Sequence, residues 1–184
     1  NKISLQKYVS ILNEYKIDFL VKDNKLVLDT PCNVNEIPLF KKGFISVQDL
    51  AAQYSLDILN KNKINFNYVL DACAAPGGKT CQILENFPVE MLAIDNSLPR
   101  LGKVKENLTR LNLTAKLLYA DASINSWWDK QKFDLIIADV PCSATGTIKR
   151  NPDIKITRLE SDIQNFVDLQ KAIINTVWQH LQIY

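Results

Sequence analysis

With 184 residues, 47% hydrophobic and 23% charged, the chain has an ordinary globular balance and length for one good core plus a small appendage. A formal net charge of +2 gives no field that argues for nucleic-acid binding, so any basic surface must be local. Four cysteines in no C-x-x-C spacing and a single histidine argue against zinc and for free thiols in a reducing, cytoplasmic setting, and no membrane span or signal peptide is visible.

Leu5, Tyr8, Val9, Leu12 and Tyr15 lie at helical spacing within residues 3–16. Lys25–Asp29 reads as a strand, stopped by Thr30-Pro31, and Ile37–Phe44 as loop with a turn at Gly43. A second helical pattern runs from Val47 to Leu59 through Leu50, Ala51, Tyr54 and Ile58. Residues 1–45 are therefore expected to form a small α+β subdomain, with the polar stretch Asn60–Asn67 leading into a main domain over 46–184.

From there apolar strands alternate with helices: strand Tyr68–Asp71 and helix 78–86, then strand Met91–Asp95 and helix 97–111 with Ser97 as N-cap. Strand Ala115–Ala120 leads to an irregular piece with Trp127-Trp128, and strand Phe133–Asp139 to a long loop and a helix from Glu160 to Leu181. Such alternation predicts an α/β fold, a parallel sheet wrapped by helices. The sequence holds no internal repeat.

Tyr68–Thr80 organises the chain, an apolar strand ending in Asp71 and then Ala72-Cys73-Ala74-Ala75-Pro76-Gly77-Gly78-Lys79-Thr80 feeding a helix. This unit sets free backbone N–H groups and a positive helix end at the carboxyl edge of the sheet, where open α/β sheets bind ligands. The adjacent glycines match neither G-x-G-x-x-G nor G-x-x-x-x-G-K-[ST]. That argues against NAD and against a nucleotide phosphate, and leaves a ligand with a carboxylate and an apolar body, such as S-adenosylmethionine.

Asp71, Asp95, Asp121 and Asp139 end successive strands on one rim, where carboxylates repel unless hydrogen bonds or a ligand hold them. Asp95 lies 24 residues beyond Asp71, near the spacing of a ribose-binding acid, and Asp121 is placed to accept from an adenine amine. In Asp139-Val140-Pro141-Cys142-Ser143, Cys142 follows a proline at a strand tip and is either a buried inert thiol or a catalytic one. Cys73 and Cys81 read as packing residues, His180 as a surface or capping residue, and the tryptophan pair as core cover. Lys149, Arg150, Lys155 and Arg158 form a basic cluster, which is either a solvated charge run or an RNA phosphate contact.

The runs Asp71–Thr80, Asp139-Val140-Pro141-Cys142-Ser143-Ala144-Thr145-Gly146 and Arg150-Asn151-Pro152-Asp153, with Val47–Gln53 before them, resemble the RNA cytosine-C5 methyltransferases, most of all the bacterial Sun/RsmB group acting on 16S ribosomal RNA. The resemblance covers nearly the whole chain. It implies a Rossmann-like S-adenosylmethionine-dependent fold, truncated at its C-terminal side. Cys73, Ala74, Ala75, Pro76, Gly77, Gly78 and Lys79 would line the methionine end of the cofactor, Asp95 the ribose and Asp121 the adenine side, with Asp139 between cofactor and base. It implies a ribosomal RNA partner offering a single-stranded or loop cytosine, and a full-length protein that is monomeric and uses neither metal nor membrane.

The chemistry needs a thiolate that adds to C6 of an unstacked cytosine and makes C5 nucleophilic. Bare chemistry assigns that thiolate to Cys142. The resemblance assigns it to a second cysteine, in a Thr-Cys pair after the next strand, and leaves Cys142 to assist product release. The sequence stops at Tyr184 before such a strand, so it is expected to be an inactive fragment with an exposed apolar sheet edge. The alternatives are a tRNA-directed enzyme of the same superfamily and a non-catalytic RNA- or protein-binding module of the same fold.

Overall fold

The computed structural model describes residues 2–22, 25–62 and 64–183. Asn1, Asp23, Asn24, Lys63 and Tyr184 lie outside the described residues, Lys63 within the expected Asn60–Asn67 lead-in.

Helix α1 (Leu5–Glu14) is capped by Ser4, whose hydroxyl accepts from the Lys7 amide, and it buries Tyr8 and Leu12. Strands β1 (Phe19–Lys22) and β2 (Lys25–Leu28) pair antiparallel, Phe19 opposite Leu28. Together with Ile37 and Ile45 they close a core separate from the main sheet. Strand β1 departs from the expectation of a single strand here. Leu20, Val21 and Lys22 are exposed, so no alternation of burial marked it. Gly43 sits at φ +68°, and a Cβ there would lie 1.9 Å from the Arg110 carbonyl oxygen. The turn therefore has to be glycine.

Helix α2 (Leu50–Asn62) begins and ends three residues later than its apolar pattern suggested, taking in part of the polar lead-in. The main sheet is wholly parallel, made of β3 (Tyr68–Asp71), β4 (Glu90–Asp95), β5 (Lys116–Tyr119) and β6 (Leu135–Ile137) in the order β5-β4-β3-β6. Helices α3 (Gly78–Asn86) and α4 (Leu98–Leu111) follow β3 and β4. A short α5 (Ile154–Thr157), absent from the sequence reading, precedes α6 (Glu160–Trp178).

Alternate side chains of the strands enter opposite cores. Leu70, Leu92 and Ile94 pack with Phe133 and with Ile173 and Val177 of α6. Val69 and Met91 pack with Ile83, Leu56 and Leu59 of α3 and α2, and Ala93 with Leu101, Val104 and Leu108 of α4. Both faces are covered, which gives the predicted α/β arrangement of Rossmann-like type.

Strand β6 is shorter than the expected Phe133–Asp139 because its flanking residues have other partners. Phe133 forms a parallel bridge with Leu181, accepting from the Gln182 amide at 2.8 Å and donating to the His180 carbonyl at 2.9 Å. The same bridge ends α6 at Trp178, ahead of the expected Leu181. Asp134 instead binds the start of β3, its Oδ2 accepting from the Asn67 and Tyr68 amides at 2.8 and 3.0 Å.

His180 overturns its expected surface position, being 1% exposed. Its ring stacks on Trp128 and meets Trp127 edge-on, and its Nε2 lies 2.8 Å from Asn125 Oδ1. The bend that carries the chain from α6 to the bridge turns the ring inward. The tryptophan pair does cover the core, as expected.

Candidate functional site

The strand order reverses direction between β3 and β6, the topological switch point at which doubly wound sheets open a ligand crevice. Asp71 and Asp95 are the last residues of β3 and β4, while Asp139 and Asp121 lie two residues past β6 and β5. All four stand on the carboxyl edge, in the spatial order Asp121, Asp95, Asp71, Asp139.

Each carboxylate has its own local partner. Thr80 Oγ1 donates to Asp71 Oδ2 at 2.7 Å. The Ala75 and Ser97 amides donate to the two oxygens of Asp95 at 3.1 and 3.0 Å. Ser97 stands at the N-cap position of α4, but its side chain makes no cap bond, since the Asp95 carboxylate takes over the turn. Lys79 Nζ pairs with Asp139 Oδ2, and Ser123 donates to Asp121 Oδ1 from both its amide and its hydroxyl.

Asp71 is the most constrained of the four. It is 1% exposed, and burial pushes its pKa up to about 6 against the pull of the Thr80 hydroxyl and the Cys73 amide. Oδ1 has no partner of hydrogen-bond geometry, although that amide is near enough to favour the charged form. Asp71, Asp95 and Asp139 also converge on Cys73, whose thiol is pushed up to about 12, first by burial and then by these charges. Burial holds the Cys81 thiol up at about 11. Neither thiol ionises near neutral pH, in keeping with packing roles.

The loop between β3 and α3 is tied down along its length. The Ala74 amide donates to the Ile94 carbonyl, the Gly77 amide to the Ala74 carbonyl, Arg100 to the Ala75 carbonyl and Asn107 to the Pro76 carbonyl. The Ala75–Pro76 peptide is cis. Gly77 sits at φ +100°, and a Cβ there would come within 3.2 Å of Val104. No side chain caps α3, so its first amides, at the positive end of the helix, have no side-chain acceptor.

Sequence reasoning missed Arg100 and Thr80. Arg100, in the first turn of α4, reaches within 3.7 Å of Asp95 as well as binding the loop. Its signal was a cation five residues after the strand-end acid, in the first turn of the helix that follows.

Past β6 the chain runs through Val140 and Pro141 to Cys142, which is exposed and not in a disulfide. The buried placement is thereby removed. Of the basic cluster, Arg150 pairs with Asp49 at 3.0 Å and Arg158 donates to the Ser143 carbonyl at 3.0 Å. Lys149 and Lys155 are exposed, with no ion pair among the described residues. Two of the four cations thus have internal work, and two face solvent.

The sequence model of the 16S rRNA methyltransferase RsmB/F family matches residues 57–183. Ribosomal RNA small subunit methyltransferase B of Vibrio cholerae serotype O1 is 46% identical over 162 residues, covering 87% of this chain and 37% of its own length. The chain thus spans well under half the length of that relative. A methyltransferase homolog protein from Pyrococcus horikoshii superposes with a TM-score of 0.78 at 27% identity, over 98% of this chain and 58% of the other. NSun6 from Pyrococcus horikoshii, solved with SFG, superposes with a TM-score of 0.71 at 28% identity, over 86% of this chain and 42% of its own.

Proposed function

This chain belongs to the 16S rRNA methyltransferase RsmB/F family, and on that premise we propose that it is the cofactor-binding part of an enzyme that methylates C5 of a cytosine in 16S ribosomal RNA. S-adenosylmethionine is the cofactor, and the residues present fit it. The uncapped start of α3 suits a carboxylate, and the acidic rim of Asp71 and Asp139 suits a sulfonium. When bound, it supplies an electrophilic methyl group.

The protein's own groups carry the rest of the reading. Cys73 to Lys79 line the methionine end, Asp95 faces the ribose, Asp121 the adenine side, and Asp139 stands between cofactor and base. A cysteine thiolate adds to C6 of the flipped cytosine, C5 takes the methyl group, and loss of the C5 proton with cleavage of the C6–S bond releases the product. The attacking thiolate belongs to the Thr-Cys pair that the family carries after the strand following α6, and Cys142 assists release. No such pair follows α6 in these 184 residues, whose share of the reading is the cofactor site and Cys142. Lys149 and Lys155 hold RNA phosphates beside a single-stranded or loop cytosine. Residues 1–45, with their own core, are a subdomain beside the catalytic one.

What carries this reading is the tied loop 73–77 seated over buried Asp95 at the switch point. Titration calorimetry tests it. S-adenosylmethionine should bind one-to-one and NAD should not; no binding, or preferred binding of NAD, would sink the assignment. Tritium release from 16S RNA labelled at cytosine C5 tests the chemistry. Release by these 184 residues alone would return the nucleophile's role to Cys142.

A further inference from the structure

The exposed loop carrying Cys142 has no strand to hold it, yet its backbone is gripped on both sides of the thiol. The Gln170 Nε2 donates to the Pro141 carbonyl at 2.7 Å, and the Arg158 Nε donates to the Ser143 carbonyl at 3.0 Å. These are the carbonyls of the residues immediately before and after Cys142. We propose that Gln170 and Arg158 are positioning residues that fix the Cys142 backbone at the switch point, a role that matters for catalysis insofar as the reading of Cys142 above is right.

The grip is rigid because of where it is mounted. Gln170 and Phe166 lie four residues apart on α6 and so share a face. The Arg158 guanidinium packs over the Phe166 ring at 5.2 Å. One helical row therefore serves both holds, Gln170 directly and Phe166 through Arg158. Leu169, Ile173 and Val177 on the same helix are seated in the sheet core, which ties the row to β3 and β4. Arg158 itself is fixed from both directions. Its amide donates to the Ile154 carbonyl at the end of α5, and the next residue, Leu159, donates to Asp162 Oδ2 at the start of α6.

Without such holds the loop would have little reason to stay put. Ala144 adopts a left-handed conformation at φ +59°, which for a residue with a Cβ costs about 1 kcal/mol or more. Beyond it the Thr147 amide and hydroxyl both donate to the Ala144 carbonyl, which tightens the far side of the turn but does not reach Cys142. The orientation of the thiol thus rests on two side chains from outside the loop.

Backbone 15N relaxation on the 184-residue chain tests this without needing activity. The Cys142 and Ser143 amides should show order parameters near those of the sheet, about 0.85, and fall below about 0.6 in Gln170→Leu and in Arg158→Met. Amides of Leu70 and Ile136 should not change. Gln170→Glu, nearly isosteric but without the donor, should repeat the loss if Gln170→Leu fails to fold, and Arg158→Lys, which keeps a donor, should restore part of the order. S-adenosylmethionine affinity should stay within about twofold of the parent in all variants, since none touches residues 73–79. Low order at Cys142 in the parent chain, or variants with parental values, would overturn the proposal. A parent chain that is ordered at Cys142 but binds no S-adenosylmethionine would overturn the functional reading and leave the clamp standing.

Discussion

Asp71 and His180 are buried ionisable groups, and burial moves them oppositely on the pH axis. Asp71 titrates near 6 in the folded chain against 3.8 as an ordinary carboxylate, so between those values the folded state binds the extra proton. Its contribution to stability is complete below about pH 3.8 and is lost as pH rises through 6, a change of about 3 kcal/mol. His180 is held below its usual 6.5, by burial first and by Lys132 second. Asn125 Oδ1 can only accept, so Nε2 carries the proton of the neutral ring and a second proton would go to Nδ1, which is buried without a partner. Its contribution is complete above pH 6.5 and is lost as pH falls through the depressed value. The two slopes oppose each other, so in the urea midpoints of the parent chain each partly masks the other between pH 4 and 6.5. Asp71→Asn should expose the acid loss from His180, and His180→Gln the gain on acidification from Asp71; parallel profiles for both variants would rule this account out. Little of it was legible beforehand. A strand-end Asp is visible in sequence, but its burial and its hydrogen bond from Thr80 nine residues on are not, and His180 is buried by a bend that no periodicity marks.

At the scale of elements, the parallel strands and their helices were readable because each strand is a short apolar run ending in Asp or leading to one, and each helix keeps one apolar face. Tyr68–Asp71 and Gly78–Asn86 have the bounds that the pattern gave. What the pattern could not show is bonding between distant pieces. The clamp on Cys142 joins residues 29 apart, from Gln170 back to Pro141, and the Phe133–Leu181 bridge joins the two ends of the β6–α6 unit. Gly43 was seen as a turn, but not as the point where the N-terminal segment touches α4. There Arg110 donates to the Phe40 and Ile45 carbonyls and lies over the Phe40 ring. Gly43→Ala combines left-handed strain with a clash against the Arg110 carbonyl, and should lower stability by about 2–4 kcal/mol in urea unfolding. Gly77→Ala meets Val104 rather than a carbonyl, and should lower stability by about 1 kcal/mol. By shifting the loop it should also weaken S-adenosylmethionine binding roughly tenfold, about 1.4 kcal/mol, by calorimetry. A full-affinity Gly77→Ala would mean that the loop backbone does not touch the cofactor.

For the whole molecule, the decisive fact is that its cores are arranged unequally around the crevice. The core of Tyr8, Leu12, Ile37 and Ile45 is separate from those on the two faces of the sheet. It is joined to the rest by the Lys25–Asp57 pair at 2.9 Å, by the Arg110 hydrogen bonds to the Phe40 and Ile45 carbonyls with the guanidinium over the Phe40 ring, and by the close approach of Gly43 to the Arg110 carbonyl. Contacts this few, with no apolar core shared between the two units, couple them weakly. The proposed cofactor contacts, by contrast, all belong to the sheet, in strand ends, the 73–79 loop and the start of α3. A ligand stabilises only the unit whose folded form it binds, by about 2.7 kcal/mol at a concentration 100 times its Kd. For a chain of this size that is a rise of roughly 5–10 °C in midpoint. Calorimetric scans should therefore show two transitions. Saturating S-adenosylmethionine should raise the sheet's by roughly 5–10 °C and leave that of the 1–45 unit in place. If both transitions move together, the N-terminal core is continuous with the catalytic one, and the division at residue 45 has to be given up. If neither moves, the crevice at the switch point does not take this cofactor, whatever the fold around it.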